Sequence, residues 1–153
     1  MAPTPATAPT PSPDPFMLLQ QDHRDVERLL EEFNAAGSED ERRDRLARVQ
    51  QTLSVHFDFE ESEIYPLVAR LIGAIQADER HSQDDAVRDA LGRLDASFAG
   101  DEGDDGALGE LRAALARHVD IETEVFPRLR DEVGPGEREH LSAALEALRE
   151  ASR

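Results

Sequence analysis

The chain is expected to be all-α: an antiparallel up-down four-helix bundle with an additional short C-terminal helix. Three observations carry that expectation. Apolar residues recur at steps of three and four through most of the sequence, as in Leu108, Leu111, Leu115, Val125 and Leu129, which is the period of a helix with one buried face. Strand-favouring residues are scarce, with one tyrosine and no tryptophan, while strong helix formers dominate. A short segment also occurs twice. His56-Phe57-Asp58-Phe59-Glu60 followed by Ile64-Tyr65-Pro66 returns as His118-Val119-Asp120-Ile121-Glu122 followed by Val125-Phe126-Pro127, which divides the chain into two similar helix pairs.

The elements follow in order. Residues 1–15 carry six prolines among alanine and threonine, a composition expected to form a disordered, polyproline-leaning tail. The bundle is expected over residues 16–133. Its first helix runs from near Pro15 to about Asn34, where Gly37 suits a C-terminal cap. Ser38 with Glu41 three residues on is a capping-box pattern opening the second helix, which runs toward Leu71 with a kink or break at Pro66. After Gly73 the third helix spans about Ile75 to Phe98, its face defined by Val87, Leu91, Leu94 and Phe98. The acidic, glycine-rich stretch Gly100 to Gly106 reads as the longest loop, and the fourth helix continues to about Glu132. Residues 134–153 open with Gly134-Pro135-Gly136 and carry Leu141, Leu145 and Leu148, an amphipathic helix expected to pack on the bundle.

At 153 residues the chain is one domain with a core that needs no staples. It has no cysteine, so disulfides and thiolate metal ligands are ruled out. Its 34 acidic residues against 17 basic ones, all arginine, give a formal net charge of −17. That charge opposes nucleic acid and anionic membrane surfaces as partners. No apolar stretch is long enough to span a bilayer, and the N-terminal segment lacks the charged and apolar regions of a secretory signal. A cytoplasmic protein acting on a small molecule is the expectation.

The repeated segments carry the chemistry. In each, a histidine and a glutamate four residues apart lie a turn apart on one helix face, and both pairs fall on the apolar stripes, His56 and Glu60 among Leu46, Val49, Leu53, Ile64 and Leu67. His23 holds a core position among Phe16, Leu19, Val26, Leu30 and Phe33, and His81 falls near the face of the third helix. Taken singly, an inward histidine is more often a hydrogen-bonded core residue, and a helical His/Glu pair a surface ion pair. Together they point to metal, because two carboxylates in a bundle core need a cationic partner. Six candidate ligands, His23, His56, Glu60, His81, His118 and Glu122, suit iron, manganese or zinc better than copper(I) or an iron–sulfur cluster, and two ions better than one. His140 and the acidic residues Asp101 to Asp105 read as solvent-facing charge.

The order of these motifs, Asp22-His23, His56-x-x-x-Glu60-Glu61, His81 after Glu79-Arg80, and His118-x-x-x-Glu122, resembles the hemerythrin-like (HHE cation-binding) family from about Phe16 to Glu132. The resemblance implies a non-haem di-iron centre, two Fe ions, that binds dioxygen, peroxide or nitric oxide, with His23, His56, His81 and His118 as ligands and Glu60 and Glu122 as bridges. Oxygen-carrying members have a further histidine where this chain has Asp85, and bridge with an aspartate where it has Thr123, with Glu122 one residue earlier. That puts reversible oxygen carriage in doubt. Pro127 also comes one residue sooner after its histidine than Pro66 does, so the two helix ends are expected to differ. With two imidazoles and two bridging oxygens per ion, about one or two positions stay open on each. The expected function is therefore binding and reacting with, or sensing, dioxygen, peroxide or nitric oxide, with catalase-like peroxide decomposition as one form of turnover. The alternative is an iron- or zinc-binding metal-handling or sensing protein without turnover.

Overall fold

The computed structural model of the chain describes residues 14–97 and 105–153. The first helix, α1, spans Pro15–Ala35. The Asp14 carboxylate accepts from the Phe16 N–H at 2.9 Å, and Pro15 occupies the first position, where a missing N–H costs nothing. The chain leaves α1 through Ala36 in an extended conformation, and Gly37 has no positive φ, so the expected glycine cap is not used. Helix α2 spans Glu39–Phe59. Ser38 Oγ accepts from the Glu41 N–H at 3.1 Å, and the Glu41 carboxylate reaches back to the Gly37 N–H at 3.1 Å. This is the expected capping box with its return bond moved one residue upstream.

Where a break was expected at Pro66, the helix instead widens ahead of it. Residues Glu60–Ile64 form a π-helical stretch, in which the Tyr65 N–H bonds to the Glu60 carbonyl five residues back, and α3, Tyr65–Leu71, continues from there. The cause lies in the repeat. From Glu60 to Pro66 is one residue longer than from Glu122 to Pro127, and a helix absorbs a single extra residue by making one turn with i→i+5 bonds. The flanks therefore keep their orientation, with Ile64 and Tyr65 standing where Val125 and Phe126 stand in the second copy; all four are buried. The second copy needs no such turn, and its proline lies inside a continuous helix.

Gly73 turns the chain into α4, Ala74–Ser97, which is followed by α5, Asp105–Glu132, and α6, Pro135–Ala151. Phe98 and most of the expected Gly100 to Gly106 loop lie outside the described residues, as does the expected tail up to residue 13. Within the four-helix bundle the closest pairings are α1 with α2 and α4 with α5. Two apolar layers fill it. One contains Phe16, Leu19, Phe59, Ile64, Tyr65 and Phe126, and it also takes in Leu141 and Leu145 from α6. The other contains Val26, Leu30, Phe33, Leu53, Phe57, Val87, Leu94 and Leu111. Helix α6 lies against α1 and α2, pinned near its end by the Gln51 amide donating to the Ser152 carbonyl at 2.6 Å.

Deleting Ser62 gives the first copy the spacing of the second. The expected result is a continuous α-helix in place of the π turn, with helicity by circular dichroism retained and stability within about 1 kcal/mol of the parent, since Ser62 is exposed and both flanks keep their places. Loss of the folded state on deletion would show that the extra residue does not act as a local insertion.

Candidate metal centre

Between the two apolar layers lies a layer of ionisable side chains. His23 from α1, His56 and Glu60 from the second helix and its π turn, and His118 and Glu122 from α5 each offer a ligand atom, and these atoms all lie within 4.8 Å of one another. His56 Nε2 is 3.3 Å from both His23 Nε2 and His118 Nε2. Glu122 Oε2 is 2.7 Å from His23 Nε2, its Oε1 is 2.7 Å from His118 Nε2, and Glu60 Oε1 touches His56 Nε2. His56 and Glu60 are fully buried, His118 and Glu122 nearly so, and the side chain of His23 is 11% exposed.

The structure brings five of the six expected residues together, and His81 is not among them. It is exposed, with its ring centroid 4.7 Å from that of Tyr65. The register of α4 explains this. Its buried face runs Ala77, Arg80, Asp84, Val87, Ala90 and Leu94, so His81 and Asp85 fall to the outside of a stripe whose inward positions at this level belong to charged residues. Laying Val26, Leu30 and Phe33 of α1 on Val87, Leu91 and Leu94 of α4 places His23 on Asp84 and Leu19 on Arg80. Asp85 is solvated, 3.6 Å from Arg88, and His140 lies at the surface 3.3 Å from Glu63.

Around the cluster stand residues that the sequence analysis did not assign. Asp22 Oδ2 is 3.1 Å from His56 Nδ1, and Asp84 Oδ1 is 3.4 Å from His118 Nδ1. Each repeated histidine thus has a buried aspartate behind it: Asp22 is hydrogen-bonded to His56 and holds its ring with Nε2 facing the cluster, while Asp84 faces His118 as an ion-pair contact without a directed hydrogen bond. The Tyr65 hydroxyl is 2.5 Å from both Glu60 Oε2 and Asp84 Oδ2. One O–H donates to one acceptor at a time, so the phenol is shared between the two carboxylates and links Glu60 to Asp84 on α4. Counting back from Val87 by three and seven would have found Asp84 and Arg80. Both are charged, so apolar periodicity carries no signal for them.

The electrostatics agree with a site built around positive charge. Burial raises the Glu60 pKa, and the neighbouring Glu122 raises it further. Burial also works against ionised Glu122, but contacts with Glu60, His118 and His23 outweigh it and hold Glu122 well below the usual carboxylate range. For the imidazoles burial works against the charged form too. The carboxylates overcome it, raising His56 well above its ordinary value through Glu60, Asp22 and Glu122, and His118 to about 11 through Glu122, Asp84 and Glu60. Burial, then Glu60 and Asp84, keep the Tyr65 phenol protonated.

The donors fit a metal ion. Glu60 Oε1 and both oxygens of Glu122 lie close to imidazole nitrogens yet accept no directed hydrogen bond. Buried acceptors rarely go unclaimed, and here they face the same space as three Nε2 atoms, which is the arrangement of ligands awaiting a cation. Against this geometry, the family description of the hemerythrin HHE cation binding domain matches residues 14–129. The chain is a member of the hemerythrin family. No curated protein and no solved structure matches it. In this hemerythrin domain His23 also lines a cavity of about 930 Å³ between α1 and α5, over Val26, Leu30, Leu53, Leu115, Val119 and Phe126. His23 is thus the member of the cluster that borders it.

Two outcomes follow. Glu60→Ala and Glu122→Ala are expected to abolish metal retention, while Glu61→Ala, Glu124→Ala and His140→Ala keep it near normal, read as metal per chain with helicity as the folding control. Equal loss in the second group would overturn the ligand register. The second outcome concerns pH. His56, His118 and Glu60 have pKa values raised by folding, so the stability they lend is full below their unfolded values, near 6.5 for histidine and 4.5 for glutamate, and is lost as pH climbs toward about 11 for His118. Glu122 is lowered, so its contribution is present above 4.5 and lost in acid. Metal-free protein should melt at progressively lower temperature from neutral pH toward pH ~10, and metal-loaded protein, whose ligands are already deprotonated, should vary less.

Proposed function

We propose that this hemerythrin domain holds a non-haem di-iron centre, two Fe ions, that binds and reacts with or senses dioxygen, peroxide or nitric oxide. The observation that carries the reading is the convergence of three imidazole Nε2 atoms with Glu60 Oε1 and both oxygens of Glu122, buried acceptors that have no directed hydrogen bond, in a cluster whose His23 lines the α1–α5 cavity. His23, His56 and His118 are the proposed nitrogen ligands, and Glu60 and Glu122 the bridges between the ions. In this reading the remaining protein ligand comes from α4, where His81 stands beside Tyr65. Bound iron supplies redox and Lewis-acid chemistry to a small ligand.

The chain's own residues do the rest. Asp22 holds the tautomer of His56, and Asp84 stands behind His118 as its ion-pair partner. The Tyr65 hydroxyl carries a proton beside Glu60, on the α4 side of the cluster. The α1–α5 cavity admits the ligand past His23, while the apolar layers above and below exclude bulk water. The catalase-like reading belongs here as one form of turnover. The metal-handling alternative is favoured by one feature: Nε2 separations of 3.3 Å also suit three ligands of a single ion.

Iron content and visible absorption separate the two. Protein loaded anaerobically with ferrous iron should hold two ions per chain and develop an absorption band on mixing with air, peroxide or nitric oxide. Val119→Phe, which fills the cavity, should slow that change severalfold at unchanged iron content. One ion per chain with no ligand-dependent spectrum would favour metal handling, and no retained metal would overturn both readings.

A further inference from the structure

Helix α6 lies beyond the stretch matched by the family, yet one of its side chains reaches the ring of contacts behind the cluster. A terminal nitrogen of Arg149 is 2.8 Å from Asp22 Oδ1 and 3.5 Å from the Leu18 carbonyl. The other Asp22 oxygen faces His56 Nδ1 at 3.1 Å. The aspartate is therefore fully engaged, with one oxygen on a guanidinium and the other on an imidazole whose Nε2 faces the cluster. A carboxylate with only one partner is free to turn about its own axis, whereas a second, charge-assisted bond fixes its plane. The opposite half is built otherwise. Asp84, behind His118, has the Tyr65 hydroxyl where Asp22 has a guanidinium.

We propose that Arg149 is a positioning residue of the metal site: by holding Asp22 it keeps the His56 ring oriented with its Nε2 lone pair on the ion, so that α6 is part of the centre and the His56 half differs from the His118 half. The proposal rests on metal binding at the cluster, and nothing in it depends on which small ligand the centre takes. Anchorage of α6 by Leu141, Leu145 and the Gln51 bond to Ser152 gives Arg149 a fixed base from which to act.

The test uses the full chain with Arg149→Gln, Arg149→Lys, Asp22→Asn and the Asp22→Asn/Arg149→Gln pair. Metal affinity is read by chelator competition, the site by the visible spectrum of the cobalt(II)-substituted protein, and folding by helicity. Arg149→Gln should fold, bind metal about ten- to a hundredfold more weakly and shift the cobalt spectrum, Arg149→Lys should recover most of the loss, and the pair should be no worse than Asp22→Asn alone. Parent affinity and spectrum in Arg149→Gln, or losses that simply add in the pair, would overturn the relay. Should Arg149→Gln fail to fold, unchanged affinity and spectrum in Asp22→Asn would overturn it equally. A parent chain that takes up no metal removes the proposed function itself, whereas a parent that binds metal but is indifferent to Arg149 removes this inference alone.

Discussion

The burial of Glu60 and Glu122 with three imidazoles between two apolar layers is the constraint that the rest of the structure serves. A carboxylate placed there without compensation costs several kcal/mol, so every neighbouring feature acts either to supply positive charge or to fix the groups that do. The aspartates behind His56 and His118, the phenol between Glu60 and Asp84, and the arginine reaching in from α6 all meet that demand. The apolar layers themselves are ordinary; their role is to make the polar layer dry, which strengthens each contact within it.

The two halves of the bundle are related by the repeat but are not equivalent. One extra residue after Glu60 is absorbed as a π turn, and just beyond it Tyr65 stands where the other half has Phe126. The hydroxyl gained at that position ties Glu60 to Asp84 and so to α4. At the corresponding place on the other side Phe126 packs against Phe16, ring centroids 5.3 Å apart, and carries no polar group. The histidine of α1 likewise corresponds to an aspartate on α4. Near-identical segments thus yield one edge of the cluster rich in imidazole and open to a cavity, and another rich in carboxylate and phenol, closed to it.

Much of this was legible in the sequence, for definite reasons. The stripe through Leu108, Leu111, His118, Glu122, Val125 and Leu129 fixed the inward face of α5, because long apolar periodicity leaves little freedom of register. The same held for His23, His56 and Glu60. The α4 register was not legible, because its inward positions at the level of the cluster are Arg80 and Asp84, and a search for apolar residues passes over them in favour of the adjacent histidine. The π turn was visible only as a difference in spacing to the two prolines. The contact between Arg149 and Asp22 spans 127 residues and leaves no local pattern to read.

The two hairpins, α1 with α2 and α4 with α5, pack more closely within themselves than against each other along the α1–α5 and α2–α4 seams, which bears on how a bound cation would leave. The candidate ligands come from both hairpins, so a cation held at the cluster would add to the Tyr65–Asp84 and Arg88–Glu61 links between the halves, and its escape would require them to part. Release would then be a breathing motion of the bundle, its lifetime governed by the opening of the hairpins as well as by the metal–ligand bonds.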